Sequence, residues 1–152
     1  MIEPRLQPLL EIYIKDPFFK FIGCEIEVCS KGKCRLVLNI TDRVLNPVGK
    51  VHGGIFNALF SFSSSLAAMS IVEQGKYTSA VDFNSSVFKN ISTGTIICDA
   101  TVLKSGRRLI FVETTVKNES GEILAVGRVT KAVLNISNDV VQSENLKPEI
   151  LT

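Results

Sequence analysis

The chain carries a single histidine, His52, directly before two glycines that open a long uncharged run. Unpaired backbone amides at a helix N-terminus, together with the positive end of the helix dipole, can hold a carbonyl oxygen or an oxyanion. Glycine at such a position lets a ligand approach the backbone closely. We therefore predict a site beside His52. Its expected donors are the free backbone N–H groups of Gly53, Gly54 and Ile55.

The uncharged run from Val51 to Val72 predicts the helix that presents these amides. It is long enough to cross a bilayer, but it contains an asparagine and several serines, and nothing else in the chain resembles a membrane protein. A buried helix is the simpler interpretation, and we predict no membrane partner. Gly75 followed by Lys76 predicts where the helical segment stops.

Polar residues recur along one face of this predicted helix: Asn57, Ser61, and Ser64 or Ser65. Two interpretations are open. The serines can bond back to the carbonyl four residues earlier and let another helix or a dimer partner approach closely. Alternatively the stripe lines a site, which we predict for Asn57 and Ser61 because they lie nearest to His52.

The rest of the chain predicts strands that surround this helix. Residues 4–15 favour a short amphipathic helix that ends before Pro17. "FIGCEIEVCSKGKCRLVLNIT" predicts a hairpin, and the segments after the central helix alternate as strands joined by the turns "KSGRR" and "NESGE". We predict an α+β fold in which one antiparallel sheet wraps one apolar helix.

Length and composition limit the possible functions. The 152 residues predict one domain over residues 1–138, followed by a polar, loosely ordered tail at 139–152. A net charge of +2 predicts no nucleic-acid partner. The amino-terminal segment lacks the pattern of a secretory signal, which predicts a cytoplasmic protein. Four cysteines without CxxC spacing, with one histidine, predict free thiols and no metal site.

The motifs "NPVGKVHGG", "TSAVDFNSSVFKNISTG", "KSGRRLIFVETTV" and "GEILAVGRVTK" resemble the PaaI-like acyl-CoA thioesterases of the hotdog-fold superfamily, related to 4-hydroxybenzoyl-CoA thioesterase. The resemblance implies a hotdog fold, with a strongly curved antiparallel sheet around a long central helix. It also implies homodimers joined edge to edge, often homotetramers as dimers of dimers, with sites at the dimer interface. Acyl-CoA would be the substrate, so coenzyme A is part of the substrate and no separate cofactor is expected.

The same resemblance implies roles for particular residues. Gly54 would offer its N–H to the thioester carbonyl, while His52 and Asn46 order the site. The family's helix carboxylate, a base or nucleophile, falls at Ser61, whose hydroxyl alone is a weak substitute. Relatives often place a water-orienting serine or threonine at the position of Ala80.

Replacements for the missing groups are expected on the strand that holds Ala80. Thr78 and Asp82 share its parity, so we predict that Asp82 replaces the base and that Thr78 contributes a hydroxyl. An aspartate in an alternating strand can instead pair with a basic group. For the substrate, the predicted binding residues also include Gly53, Asn57, Lys89, Lys104, Arg107 and Arg108. The last three can bind phosphates or form a solvated turn.

These observations predict an acyl-CoA thioesterase that hydrolyses a thioester by water attack, with the carbonyl held at the helix N-terminus and activity weakened by Ser61. The alternative is a non-catalytic acyl-CoA or acyl-carrier binding protein that has lost the helix carboxylate. A hotdog hydratase would need a separate Asp and His signature, and we rank it last.

Overall fold

The predicted helices and strands all appear in the computed structural model, which describes residues 1–136. The strands are β1 (Cys24–Ser30), β2 (Lys33–Asn39), β3 (Lys76–Val87), β4 (Thr95–Ser105), β5 (Leu109–Asn118) and β6 (Ile123–Asn135). The helices are α1 (Gln7–Lys15), α2 (Pro17–Ile22) and α3 (Gly53–Met69), with short 3-10 turns at Pro4–Leu6 and Asp42–Val44. The predicted boundary at 138 and the tail 139–152 lie outside the described residues.

The six strands form one antiparallel sheet in the order β1-β2-β4-β5-β6-β3. α3 packs across one face of this sheet, and the apolar side chains between them form the core. This confirms the predicted α+β fold. β3 lies at one edge, so within residues 1–136 the hydrogen-bonding groups on its outer side have no neighbouring strand.

The central helix begins at Gly53, as predicted, but it ends at Met69, before the predicted stop at Gly75. Most of its apolar side chains are fully buried. None of the helices in residues 1–136 combines the length and hydropathy needed to cross a bilayer. Three serines bond back to carbonyls three residues earlier, not four as expected: Ser63, Ser64 and Ser70 donate to Phe60, Ser61 and Ala67.

A second short helix, α2, was absent from the sequence prediction. The carboxylate of Asp16 caps it by accepting a 2.7 Å hydrogen bond from Phe19 N–H, and Pro17 occupies its first turn. Phe19 packs edge-on against Phe62 of α3 at 5.1 Å between ring centroids. The apolar residues of this segment lack alternation because they belong to a helix that covers α3.

The β1–β2 hairpin turns through Lys31 and Gly32, both with positive φ, as a two-residue turn requires. Its register places Cys29 opposite Cys34. The four cysteines are buried free thiols. At the far end of α3, the Ser70 hydroxyl accepts a 2.7 Å hydrogen bond from Gly32 N–H and so ties the hairpin to the helix.

The closest approach of α3 to the sheet occurs at Gly127 of β6. A Cβ at this position would lie 2.8 Å from the Phe60 ring and 2.8 Å from Thr114 Oγ1. The Thr114 hydroxyl donates to the Gly127 carbonyl, which holds this contact in place. Glycine is therefore required here by space alone.

We expect Gly127→Ala to lower the free energy of unfolding by about 1–3 kcal/mol, because a methyl group there must displace the Phe60 ring. Urea denaturation followed by circular dichroism measures the change. Gly53→Ala is the matched control, because a Cβ there meets no atom within 4 Å. A loss of stability in Gly127→Ala no larger than in this control would contradict the interpretation.

Candidate active site

Residues 46–50 form a tight loop that precedes the start of α3. The Asn46 side-chain oxygen accepts hydrogen bonds from the N–H groups of Val48 (3.1 Å) and Lys50 (3.0 Å). Gly49 has φ of +74°, a conformation that glycine adopts at low cost. Asn46 thus orders the segment before His52 through the loop backbone.

His52 caps α3 with its own imidazole. Its Nδ1 accepts a 2.9 Å hydrogen bond from Gly54 N–H, and its carbonyl accepts another from Ile55 N–H. The prediction that both amides are free is therefore wrong: each is satisfied within the first helical turn. A Cβ at Gly54 would lie 3.1 Å from His52 Nδ1, so glycine also makes room for the ring.

Gly53 is the first-turn residue that keeps a free amide. Its N–H has no hydrogen-bond partner within residues 1–136, and the residue is exposed with open space beside it. Because His52 Nδ1 accepts a hydrogen bond, the ring's proton lies on Nε2, which is a second donor at this terminus. The positive end of the α3 dipole further favours an electron-rich oxygen near these two donors.

The surface between α3 and β3 beside this terminus is partly exposed, and we call it the cleft. We define it by three residues of α3 and five of β3: Asn57, Ser61, Ser65, Thr78, Ala80, Phe83, Ser85 and Val87. The Ser85 hydroxyl donates to the Asn57 side-chain oxygen at 2.9 Å and closes one side. Phe83 and Val87 pair with buried residues of β6 and face α3, yet they are 44% and 47% exposed. The helix therefore leaves this part of β3 uncovered.

Asp82 lies on the opposite face of the sheet from the cleft. A β-bulge at Val81 shifts the register, so that Ala80 pairs with Lys131 but Asp82 pairs with Thr130. Opposed residues share a face in an antiparallel sheet, and Lys131 faces α3 while Thr130 does not. Asp82 instead lines an outer groove with Glu113, Arg128 and others. The predicted shared parity of Ala80 and Asp82 is wrong, and with it the placement of Asp82 as base within this chain.

Thr78 and Ala80 do face the helix, beside a buried lysine that the sequence analysis did not identify. Lys131 is only 2% exposed, and its ammonium donates a 2.5 Å hydrogen bond to the Ser65 hydroxyl. Burial lowers the pKa of Lys131 to about 8. The hydroxyl oxygen of Thr78 is buried without a hydrogen-bond partner in residues 1–136.

The predicted coenzyme-binding residues do not gather at His52 in one chain. Lys89 forms an ion pair with Glu122 at 2.7 Å, and this hydrogen bond lowers the pKa of Glu122. The exposed β4–β5 turn carries Lys104, Arg107 and Arg108. Leu109, the next residue, pairs with Ala132, which pairs with Ser79. This turn therefore lies at the Thr78 end of the cleft, away from His52.

A pattern in the sequence could have revealed Lys131. It shares strand parity with Val129 and Val133 in "GRVTKAVLN", so the alternation of β6 places a lysine on the apolar face. No local pattern indicates its contact with Ser65 or the capping bond of His52.

The fold of this chain is similar to that of known structures. A thioesterase from Haemophilus influenzae superposes with a TM-score of 0.79 at 23% identity, over 89% of this chain and 92% of that one. Among sequences, 1,4-dihydroxy-2-naphthoyl-CoA hydrolase of Listeria monocytogenes is 27% identical over 74% of this chain and 91% of its own length. Acyl-coenzyme A thioesterase 13 of Pongo abelii is 30% identical over 70% of this chain and 76% of its length. The fold and these relatives define a protein of the hotdog-fold thioesterase superfamily.

Within that superfamily, residues 10–133 match the family described as "Domain of unknown function (DUF4442)", and the chain belongs to it. The resemblance noted from the sequence motifs is thereby confirmed. The match spans the segment from α1 to β6 and includes both the first turn of α3 and Lys131.

Lys131 predicts how stability depends on pH. Its pKa is about 8 in the folded chain against an ordinary 10.5, so between these values the unfolded chain binds the proton and the folded chain does not. Stability contributed by Lys131 therefore rises with pH across this window, by up to about 3 kcal/mol.

The Lys131→Met variant has no amine that titrates at this position. Comparing it with the natural protein therefore isolates the contribution of Lys131 to the pH dependence of stability. The free energy of unfolding of the natural protein minus that of the variant should increase as pH rises from about 8 toward 10.5, measured by urea denaturation at each pH. The raised pKa values of Cys24 and Cys98 act in the opposite direction above pH 9.0, and they cancel in the difference. A difference that stays flat with pH would show that Lys131 titrates normally.

Proposed function

We propose that this protein is an acyl-CoA thioesterase that hydrolyses a thioester by water attack, with the carbonyl oxygen held at the N-terminus of α3. The main support is the exposed N–H of Gly53 at one end of the cleft, which has no hydrogen-bond partner among residues 1–136. Two relatives are named as a hydrolase of a naphthoyl-CoA and as an acyl-coenzyme A thioesterase, which supports acyl-CoA as the substrate class.

The proposed chemistry begins at the carbonyl carbon. Attack by water places negative charge on the carbonyl oxygen, which Gly53 N–H, His52 Nε2–H and the helix dipole stabilise. Gly54, the donor implied by the family resemblance, instead orients His52 through its hydrogen bond to Nδ1. The C–S bond then breaks, and the thiolate of coenzyme A takes up a proton from solvent.

Proton removal from the attacking water is the weak step of this mechanism. Ser61 stands where the family resemblance implies a carboxylate, and none of the residues that define the cleft within 1–136 carries one. A serine hydroxyl cannot accept the proton near neutral pH. We therefore propose slow turnover in the natural protein.

We further propose a homodimer joined through β3, which can associate into dimers of dimers. The edge position of β3 and the exposed apolar side chains of Val81 and Phe83 support it. Antiparallel pairing of two β3 strands would bring the partner's β4–β5 turn to the His52 end of the cleft. Its basic residues would then meet the phosphates of coenzyme A. Buried free thiols suit the reducing cytoplasm proposed for this activity.

A charge on the edge strand should separate the protomers. Val81→Lys, at a position 60% exposed on β3, is expected to halve the mass measured by light scattering and to abolish thiol release. Leu103→Lys is the matched control, since Leu103 is 51% exposed but lies on β4 inside the sheet. The same mass for all three proteins would contradict pairing through β3.

Restoring the carboxylate tests the reaction itself. Ser61→Asp should raise kcat for thiol release by roughly 100-fold or more, because a carboxylate can accept the proton of the attacking water. Ser61→Asn introduces a side chain of the same shape as aspartate without the charge, and it should not raise kcat. The assay covers short, long and aromatic acyl-CoAs. Equal rates for the two variants would contradict the proposed role of position 61.

One observation favours a second candidate function, acyl-CoA or acyl-carrier binding without catalysis. The cleft lacks a carboxylate at Ser61 and a hydroxyl at Ala80, and Asp82 faces the other side of the sheet. Clear acyl-CoA binding without thiol release, in both the natural protein and Ser61→Asp, would establish this function in place of hydrolysis.

A further inference from the structure

Within residues 1–136, the ammonium group of Lys131 is buried with no acidic side chain bonded to it. It faces Ser65 of α3 and lies between its strand neighbours Ile110 of β5 and Ala80 of β3, none of which is acidic. An ammonium has three hydrogen-bond donors, and Ser65 is the acceptor it bonds within residues 1–136. Burying a charge in this way is costly unless an anion accompanies it.

A polar atom near Lys131 also lacks a hydrogen-bond partner. The buried Thr78 hydroxyl has none in the described residues, and Thr78 is the diagonal neighbour of Lys131 on the helix-facing side of the sheet. Ala80, directly opposite Lys131, is half-buried and small, so its methyl group covers less of the lysine than a larger side chain would. Buried polar atoms are normally satisfied, so this group of donors and acceptors requires an explanation.

Tyr13 of α1 is a second titratable group close to Ser65. It lies against Ser65, and burial raises its pKa to about 12, partly offset by the Ser65 hydroxyl. Tyr13 is therefore neutral at physiological pH and supplies no negative charge to Lys131. The lowered pKa of Lys131 still leaves most of its ammonium protonated near neutral pH.

The group is continuous with the cleft. Ser65 is half-buried and lies one helical turn beyond Ser61 on the same stripe of α3. Gly54 and Ser65 are separated by eleven residues of helix, or roughly 16 Å along its axis. A ligand whose carbonyl lies at the first turn of either protomer can extend along the stripe toward a Lys131.

We propose that Lys131, Ser65 and Thr78 form a subsite for a carboxylate at the far end of the acyl group, so that the preferred ligands are CoA thioesters of dicarboxylic acids. The inference rests on the proposed function for the location of the thioester, but it requires binding and not turnover. A carboxylate supplies the missing counter-charge and accepts hydrogen bonds from the ammonium and both hydroxyls. A plain acyl chain would supply neither a counter-charge for the ammonium nor a partner for the Thr78 hydroxyl.

The experiment compares acyl-CoAs of equal length with and without the terminal carboxylate: adipoyl with hexanoyl, sebacoyl with decanoyl, and hexadecanedioyl with palmitoyl. Non-hydrolysable thioether analogues are titrated by calorimetry, and the thioesters are assayed for kcat/KM. In at least one pair, the carboxylated member should bind roughly 10- to 100-fold more tightly. Binding of the carboxylated member should also raise the pKa of Lys131, measured in a sample with carbon-labelled lysines.

Two variants identify the subsite. Lys131→Met should remove the preference for the carboxylate by weakening binding of the carboxylated member. Ala80→Leu keeps the ammonium but covers it, and should do the same if Lys131→Met does not fold. Persistence of the preference in folded variants would overturn the subsite.

The outcomes separate this inference from the proposed function. Equal binding of both members of every pair by the natural protein would overturn the inference, even if both are hydrolysed. Selective binding of the carboxylated analogue, with no thiol release from any thioester, would support the subsite and contradict the thioesterase.

Discussion

The burial of one nearly apolar helix against a single face of the sheet is the constraint on which the rest of this structure depends. α3 packs so closely on β6 that Gly127 must be a glycine, and Phe60 fills the space above it. That contact holds the helix against the sheet, while Phe83 and Val87 of the edge strand β3 remain partly exposed. The cleft beside β3 and the exposed first turn of α3 both follow from this placement.

A single extra residue in β3 decides which side chains enter that cleft. The bulge at Val81 keeps Thr78 and Ala80 on the helix side and turns Asp82 to the outer face. The cleft consequently has positive character at both ends. Backbone N–H groups and the helix dipole lie at one end, and the ammonium of Lys131 lies at the other. Such an arrangement suits an elongated ligand with an electron-rich oxygen at each end.

Much of the fold was predictable because burial repeats with a period that each element imposes locally. Alternation in β1 and β2, the "KSGRR" and "NESGE" turns, and the uncharged run of α3 each carry their own signal. The start of α3 at Gly53 was predicted from glycine and histidine chemistry. α2 was missed, because its six residues are too few to establish a helical period and Asp16 caps it only once the chain has turned.

The composition of the site was settled by contacts between distant segments. Lys131 meets Ser65 across 66 positions of chain, and Lys89 meets Glu122 across 33. The bulge that removes Asp82 from the cleft is visible only in the pairing of β3 with β6. Local patterning therefore determined most of the helices and strands and the residue at which α3 begins. The tertiary structure decided which side chains share a face, because register and burial depend on partners that no local stretch of sequence specifies.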